Sequence, residues 1–199
     1  MGIAAAIKIT PGLFIVYLLV TRRWRTAGVA VAAAASVTAA TLLIAPEESV
    51  RYFPDLLWQT GRVGTPGAIA NQALSGLLAR TSSGAWWLAG SALMLVAGLW
   101  RARRAYEAGD ETAAMTLVGL TGNLISPISW THHLMFLPIA VPVLAGAGRS
   151  FRTLLAAGLY ALCVLSPIWL DPGALTGVAG LIAGNSFTLT MVALVFLLP

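Results

Sequence analysis

Apolar runs broken by polar or charged stretches extend along the whole chain. The runs cover residues 3–20, 27–45, 86–100, 113–125, 134–148 and 154–170, and a last one begins at Gly177 or only after Asn185. Their lengths approach or exceed the roughly 18 residues that a transmembrane helix requires. The pattern predicts an all-α polytopic integral membrane protein of about seven transmembrane helices, which form a single transmembrane domain over residues 1–199.

The polar stretches differ in length and charge. Residues 46–84 form the one long hydrophilic segment. Eight arginines fall in alternate breaks, at 22–25, 101–104 and 149–152, and an excess of arginine marks the cytoplasmic loops of membrane proteins. We therefore place the 46–84 loop on the extracytoplasmic face, together with the polar stretch that follows residue 125.

Composition agrees with a membrane protein. Of the 199 residues, 58% are hydrophobic and 10% are charged, and a soluble domain of this size cannot bury so much apolar surface. The net charge of +5 comes largely from arginines beside the helices, so it indicates membrane orientation and no nucleic-acid partner. The single cysteine, Cys163, lies within an apolar run. Neither a disulfide framework nor a metal cluster is therefore expected, and no cofactor is expected.

Both histidines lie in residues 126–134, here called the histidine segment, with the sequence Ser-Pro-Ile-Ser-Trp-Thr-His-His-Leu. The residue before a proline avoids helical backbone, so the preceding helix is expected to end at Ser126. The hydroxyl side chains of the segment are expected to cap the next helix, with Trp130 as an anchor at the membrane interface. His132 and His133 point about 100° apart on a helix, which argues against one shared metal ion. Two roles stay open for the histidines, turn capping and contact with a substrate. Their position beside Trp130 favours contact with a substrate.

Lys8 is a charged residue inside the first apolar run. Fourteen residues separate it from Arg22, or about 21 Å along a helix, which places it in the outer half of a hydrocarbon core about 30 Å thick. A lysine near a helix end can extend its ammonium group to the interface, whereas a charge within the membrane commonly serves function. We favour an anion site, such as one for a lipid phosphate.

The long outer loop carries polar side chains among turn residues. Arginine can hold a phosphate through two hydrogen bonds, and the amides of asparagine and glutamine can bind hydroxyl groups. Arg62, Asn71, Gln72 and Arg80 are therefore candidate binding residues. The alternative is a solvated loop, but loops longer than about 15 residues without function are uncommon.

Four motifs occur in the order found in a known family. They are Ala-Ile-Lys-Ile-Thr-Pro at 6–11, Arg-Val-Gly at 62–64, Asn-Gln-Ala-Leu-Ser-Gly-Leu at 71–77 and Ser-Pro-Ile-Ser-Trp-Thr-His-His at 126–133. Together they resemble the C-terminal part of glycosyltransferase family 87, which comprises membrane mannosyltransferases of the GT-C type. The resemblance implies transfer of mannose from polyprenol-phosphate-mannose to an envelope glycolipid or lipoglycan, on the outer face of the cytoplasmic (inner) membrane.

The resemblance also implies roles for the candidate residues. Those expected at the lipid phosphate are Lys8, Arg62, Arg80, His132 and His133, with Trp130 beside them. Those expected to contact sugar hydroxyls are Asn71 and Gln72.

The catalytic base is expected outside this chain. The resemblance implies a catalytic aspartate in a first extracytoplasmic loop, upstream of the helix that carries Lys8, and the acidic residues here match no such motif. We therefore expect a truncated member that is inactive alone and needs the N-terminal half of the protein, in a longer chain or as a separate one. Two alternatives stay open: a small-solute membrane transporter, which Lys8 and Pro11 in one helix favour, and a non-catalytic membrane scaffold.

Overall fold

Helices account for almost all of the regular structure. The computed structural model of the chain describes residues 1–81, 83–146, 148, 150–169 and 177–199. The α-helices are α1 (Gly2–Ile7), α2 (Leu13–Val20), α3 (Trp24–Ile44), α4 (Pro46–Tyr52), α5 (Leu74–Arg80), α6 (Trp87–Glu107), α7 (Glu111–Ile125), α8 (Phe136–Ala145), α9 (Ser150–Leu165), α10 (Gly177–Gly184) and α11 (Ser186–Leu197). Short 3-10 turns lie at Thr10–Gly12, Leu56–Trp58, Thr60–Arg62, Gly84–Trp86, Thr131–His133 and Pro167–Trp169. No β-strand occurs among the described residues, and the all-α prediction is confirmed.

The chain divides into two compact units, Met1–Thr65 and Pro66–Pro199. In the first unit, α1 and α2 both pack against α3. A Cβ atom on Gly2 would lie 2.1 Å from the carbonyl oxygen of Ala30. This approach of α1 to α3 therefore requires a residue without a side chain.

The first apolar run is two helices joined by a turn. α1 ends at Ile7, Lys8 has extended backbone with φ −144° and ψ 132°, and the turn Thr10–Gly12 leads into α2. Pro11 explains the interruption, because proline has no N–H to donate and its ring clashes with the carbonyl group four residues earlier. Lys8 therefore lies at a helix end and not within a continuous helix.

The second unit is built around α7. Eleven of the fifteen residues of α7 are buried, and α6, α8 and α11 all pack against it. A Cβ atom on Gly98 of α6 would lie 1.9 Å from the hydroxyl oxygen of Thr121, and one on Gly119 would lie 2.2 Å from the ring of Phe136. Small residues allow such close approach of neighbouring helices in membrane proteins. The packing fixes the end of α7, from which the histidine segment begins.

The polar stretch between the apolar runs 86–100 and 113–125 is mostly helix. α6 continues to Glu107, and only residues 108–110 form the turn into α7. Alanine and arginine are strong helix formers, and Arg103 Nε donates a hydrogen bond to Glu107 Oε1 at 2.8 Å. The arginines after the apolar run therefore extend the helix.

Two helices among the described residues are long and apolar enough to cross a membrane, Trp24–Ile44 and Phe151–Trp169. α10 and α11 together form a third candidate, with a bend of 66° between them. A helix therefore begins at each of the two starting points expected for the last apolar run, Gly177 and the residue after Asn185. The protein is a helical membrane protein. The total of seven spans stays a prediction, and Arg149 of the third arginine cluster lies outside the described residues.

Candidate functional site

The histidine segment begins where α7 ends. Ser126 has extended backbone, with φ −60° and ψ 142°, so the helix end predicted before Pro127 is confirmed. The prediction that hydroxyls of the segment cap the next helix is wrong, because α8 starts at Phe136 without a side-chain cap. Instead, the Ser129 hydroxyl donates to the carbonyl oxygen of Asn123 at 2.8 Å. The last turn of a helix leaves such carbonyls without intrahelical partners.

His133 stabilises the turn Thr131–His133, while His132 is exposed. The backbone N–H of half-buried Trp130 donates to His133 Nδ1 at 3.1 Å. Nδ1 is therefore an acceptor, and the proton of the neutral ring is on Nε2. The Asn123 side chain donates to the carbonyl oxygen of His133 at 3.2 Å. His133 thus has the capping role considered from the sequence, and the His132 ring lies beside it at a centroid distance of 4.2 Å.

Asn71 is fully buried and connects the outer loop to the histidine segment. Its Oδ1 accepts a hydrogen bond from the backbone N–H of Ser129 at 3.0 Å. Its Nδ2 donates to the carbonyl oxygens of Pro66 at 2.9 Å and Pro127 at 3.3 Å. The hydroxyl of Ser75 also donates to Pro127. A side-chain amide therefore fixes two segments that lie 58 positions apart in sequence.

Gln72 makes a similar connection to the bend between α10 and α11. Its Nε2 donates to the carbonyl oxygens of Ile69 at 2.7 Å and Gly184 at 2.8 Å, and its Oε1 accepts from the backbone N–H of Thr188 at 3.2 Å. Helix ends leave backbone groups without intrahelical partners. Gln72 satisfies one such carbonyl at the end of α10 and one such N–H at the start of α11.

Arg80 ends α5 and is half-buried. Its Nε and Nη2 both donate to Asn185 Oδ1, the former at 3.0 Å. Its Nη1 donates to the carbonyl oxygens of Ala68 at 2.7 Å and Asn71 at 3.0 Å. Burial lowers the pKa of the Arg80 guanidinium to about 10, so it remains a cation at neutral pH. Within the described part of the chain its hydrogen-bond acceptors are neutral oxygens.

Asn71, Gln72 and Arg80 thus form one group with the backbone of the histidine segment, here called the buried polar cluster. Asn71 and Gln72 are both 0% exposed, and both amide groups donate within the protein. Contact of either amide with a sugar hydroxyl stays a prediction. It would require an internal hydrogen bond to break.

The remaining candidate cations, Lys8 and Arg62, lie in the first unit. Lys8 is exposed just after α1, and Arg62 is exposed at the end of the turn Thr60–Arg62. The convergence of these two residues with the histidine segment at one lipid phosphate stays a prediction.

Comparison with known proteins identifies the family. Residues 1–127 match the model of glycosyltransferase family 87. The chain belongs to glycosyltransferase family 87.

Three relatives of this family 87 chain are named as mannosyltransferases. A Mycobacterium tuberculosis protein named polyprenol-phosphate-mannose-dependent alpha-(1-2)-phosphatidylinositol mannoside mannosyltransferase is 35% identical over 174 residues, which cover 85% of this chain and 41% of the relative. A protein of the same name from Mycolicibacterium smegmatis is 36% identical over 189 residues, covering 86% and 43%. A second Mycobacterium tuberculosis relative, named for a phosphatidylinositol pentamannoside acceptor, is 33% identical over 178 residues, covering 85% and 41%. The chain therefore spans about two fifths of the length of these relatives, and no solved structure matches it.

Three residues that shape the site of this family 87 chain are not among the candidates predicted from the sequence: Ser129, Asn185 and Thr188. Asn185 and Thr188 are polar residues close together in an apolar run, and a polar group in such surroundings needs a hydrogen-bond partner. This pattern in the sequence indicates that both residues have polar partners in the fold. The partners were not visible, because Arg80 lies 105 positions from Asn185 and Gln72 lies 116 positions from Thr188.

Proposed function

We propose that this chain forms the donor-phosphate side of a membrane mannosyltransferase that transfers mannose from polyprenol-phosphate-mannose to a phosphatidylinositol mannoside. Membership of family 87, with relatives named for this donor and this acceptor, carries the proposal. Because the chain spans about two fifths of those relatives, transfer is assigned to the whole protein, to which this chain contributes one part.

Transfer from a lipid phosphate to a hydroxyl group needs two kinds of protein group. A base takes the proton of the acceptor hydroxyl, and hydrogen-bond donors stabilise the negative charge on the departing phosphate. Lys8, Arg62 and His132 suit the second task, since all three are exposed and carry N–H donors. We assign the base to an aspartate outside this chain, as the family resemblance implies.

The buried polar cluster supports this site indirectly. The amide of Asn71 binds the backbone of Pro127 and Ser129, at the start of the histidine segment. Catalytic groups act well only when surrounding contacts hold their geometry. We therefore assign a positioning role to Asn71, Gln72 and Arg80, while sugar contact by the two amides stays a prediction.

The two histidines have different roles in this proposal. His133 Nδ1 accepts the backbone N–H of Trp130, so this ring fixes the shape of the turn. His132 is exposed and can donate a hydrogen bond to a phosphate oxygen from a ring N–H. We propose that His132 contacts the substrate and that His133 orients the turn on which His132 is carried.

We place the site on the extracytoplasmic face of the cytoplasmic membrane. The arginine clusters at 22–25 and 101–104 indicate the opposite face. The hydrogen bond between Asn71 and Ser129 supports a common face for the outer loop and the histidine segment, because groups on opposite sides of a hydrocarbon core about 30 Å thick could not meet.

A chimera tests the proposal. The matched segment of the Mycolicibacterium smegmatis relative is replaced by this chain, and membranes are supplied with sugar-labelled polyprenol-phosphate-mannose and a phosphatidylinositol mannoside. We expect the acceptor to gain one mannose, detected by mass spectrometry. His132→Ala in this chimera should lower kcat/KM roughly tenfold to a hundredfold, the equivalent of losing a charge-assisted hydrogen bond.

A second chimera serves as the matched control. It carries the corresponding segment of the first Mycobacterium tuberculosis relative, which has the same name as the Mycolicibacterium smegmatis relative. This control shows whether the exchange of segments itself is tolerated. If the control chimera transfers mannose and the chimera that contains this chain does not, the proposal is wrong. Transfer to a different lipid only would overturn the acceptor and leave the donor assignment standing.

A further inference from the structure

A cavity of 260 Å³ lies in the second unit beside the histidine segment. Part of its lining is polar and consists of Thr131, His132 and Ser166. Another part is apolar: Met135 and Pro138 are exposed, whereas Leu137 and Phe187 are only 1% and 5% exposed. The described lining contains no carboxylate. A cavity with these two kinds of surface suits a molecule that has both a polar and an apolar part.

The three polar side chains have capacity for a ligand. None of them makes a hydrogen bond within the part of the chain that the structure describes, whereas the hydroxyls of Ser126 and Ser129 both donate internally. Hydroxyl and imidazole N–H groups donate to phosphate oxygens. The polar part of the cavity can therefore supply up to three hydrogen bonds to an anionic group without breaking an internal one.

The backbone at Ser166 gives independent support. Its φ of 46° lies in the left-handed region, which non-glycine residues adopt rarely. The residue before a proline normally takes extended backbone, and Ser166 precedes Pro167. Strained backbone of this kind concentrates at functional sites. Here it ends α9 and places Ser166 in the cavity lining.

We propose that this cavity binds the phosphate end of a polyprenyl phosphate, with the first isoprene units against Met135 and Pro138 and the phosphate at Thr131, His132 and Ser166. This inference rests on the proposed function and adds a binding site for the lipid part of the donor. Pockets that enclose a whole small molecule measure about 300–1,000 Å³. A 260 Å³ cavity is therefore suited to the part of the lipid next to the phosphate, while the rest of the chain extends into the bilayer.

Cys163 provides the measurement. It also lines the cavity and is the one cysteine in the sequence, so its modification by N-ethylmaleimide reports directly on occupancy. The full chain in lipid nanodiscs is labelled with and without farnesyl phosphate, and intact mass gives the rate. At a ligand concentration about ten times Kd, we expect the rate to fall roughly tenfold, because only the unoccupied fraction reacts. Inorganic phosphate should give no protection.

Variants separate the two parts of the cavity. Replacing both hydroxyls, with Thr131→Val and Ser166→Gly, should weaken protection by farnesyl phosphate about tenfold and leave protection by farnesol unchanged. Glycine is chosen at Ser166 because it accepts the positive φ. Met135→Trp, at another residue of the lining, should abolish protection by both lipids. Leu154→Trp is the matched control, since Leu154 is 70% exposed and lies outside the lining.

Several outcomes would overturn the inference. They are an unreactive Cys163 in the unliganded protein, no protection by farnesyl phosphate, and equal protection by dodecyl phosphate, which would show a site for any single-chain amphiphile. The outcomes also separate this inference from the proposed function. Transfer by the chimera without protection of Cys163 would overturn the lipid site alone, and protection without transfer would overturn the transferase proposal alone.

Discussion

Replacing Gln72 by leucine tests whether a buried amide holds the bend between α10 and α11. Leucine fills a similar volume but has no hydrogen-bonding group. The change removes the partner of the Gly184 carbonyl, at 2.8 Å, and that of the Thr188 N–H, at 3.2 Å. Both residues are buried, so water cannot readily replace the lost contacts.

The expected magnitude follows from these two groups. A buried polar group that loses its partner costs about 1–3 kcal/mol, which gives roughly 2–6 kcal/mol for two of them. Groups that share a partner relax together and are not additive. We therefore expect Gln72→Leu to lower the free energy of unfolding by about 2–4 kcal/mol.

The assay is reversible unfolding in mixed micelles of increasing sodium dodecyl sulfate content, followed by tryptophan fluorescence. Gln59→Leu is the matched control, because Gln59 is exposed and its side-chain amide donates to exposed Asp55. It should change stability by less than about 0.5 kcal/mol. In a double-mutant cycle, Gln72→Leu and Thr188→Val should be less than additive. Equal stability of the Gln72 and Gln59 variants would refute the reasoning.

Three further predictions concern topology, packing and the donor phosphate. Cysteines at Gly61 and Ala108, in a background without the native cysteine, should react with an impermeant maleimide from opposite sides of the membrane; labelling from one side would contradict the orientation. In thermal unfolding, Gly119→Ala should lower the stability of the protein by about 1–3 kcal/mol, because the added methyl group overlaps an aromatic ring. Gly158→Ala, where the added methyl group meets open space, should be neutral or stabilising by up to about 1 kcal/mol. Equal effects of the two changes would contradict the packing. In an intact family member, methionine at the position of Lys8 should lower kcat/KM roughly tenfold to a hundredfold, and normal kinetics would leave that lysine a snorkelling side chain.

Local chemistry explains which parts of the fold were predictable. Uninterrupted apolar runs indicate helices because membrane-spanning backbone must satisfy its own hydrogen bonds, and the end of α7 at Ser126 follows from the proline after it. The hydropathy pattern does not predict the extension of α6 to Glu107, because the residues beyond the apolar run are polar, although their helix propensity is high. The bend near Asn185 was visible only as an uncertain helix start. Its backbone bonds to Gln72, which lies 112 positions away in sequence.

The candidate site shows a different limit. Sequence patterns grouped these polar residues as one candidate set, and the structure joins three of them, Asn71, Gln72 and Arg80, to the histidine segment. They did not separate buried from exposed members. Asparagine beside glutamine in a loop has the same pattern whether it binds a sugar or two helix ends, since the amide chemistry is identical. Burial, with 0% exposure for both, is the observation that favours binding to the helix ends.

The use of amides at these positions has a physical reason. Where α7 ends and where α10 meets α11, backbone N–H and C=O groups lose their intrahelical partners, and in a membrane protein each must be satisfied internally. A side-chain amide carries both donors and an acceptor without a charge that burial would penalise. Asn71 and Gln72 can therefore bind both kinds of backbone group at once. It follows that substrate-binding groups should be sought among polar side chains that line a cavity and have unused hydrogen-bonding capacity, as Thr131, His132 and Ser166 do in the second unit.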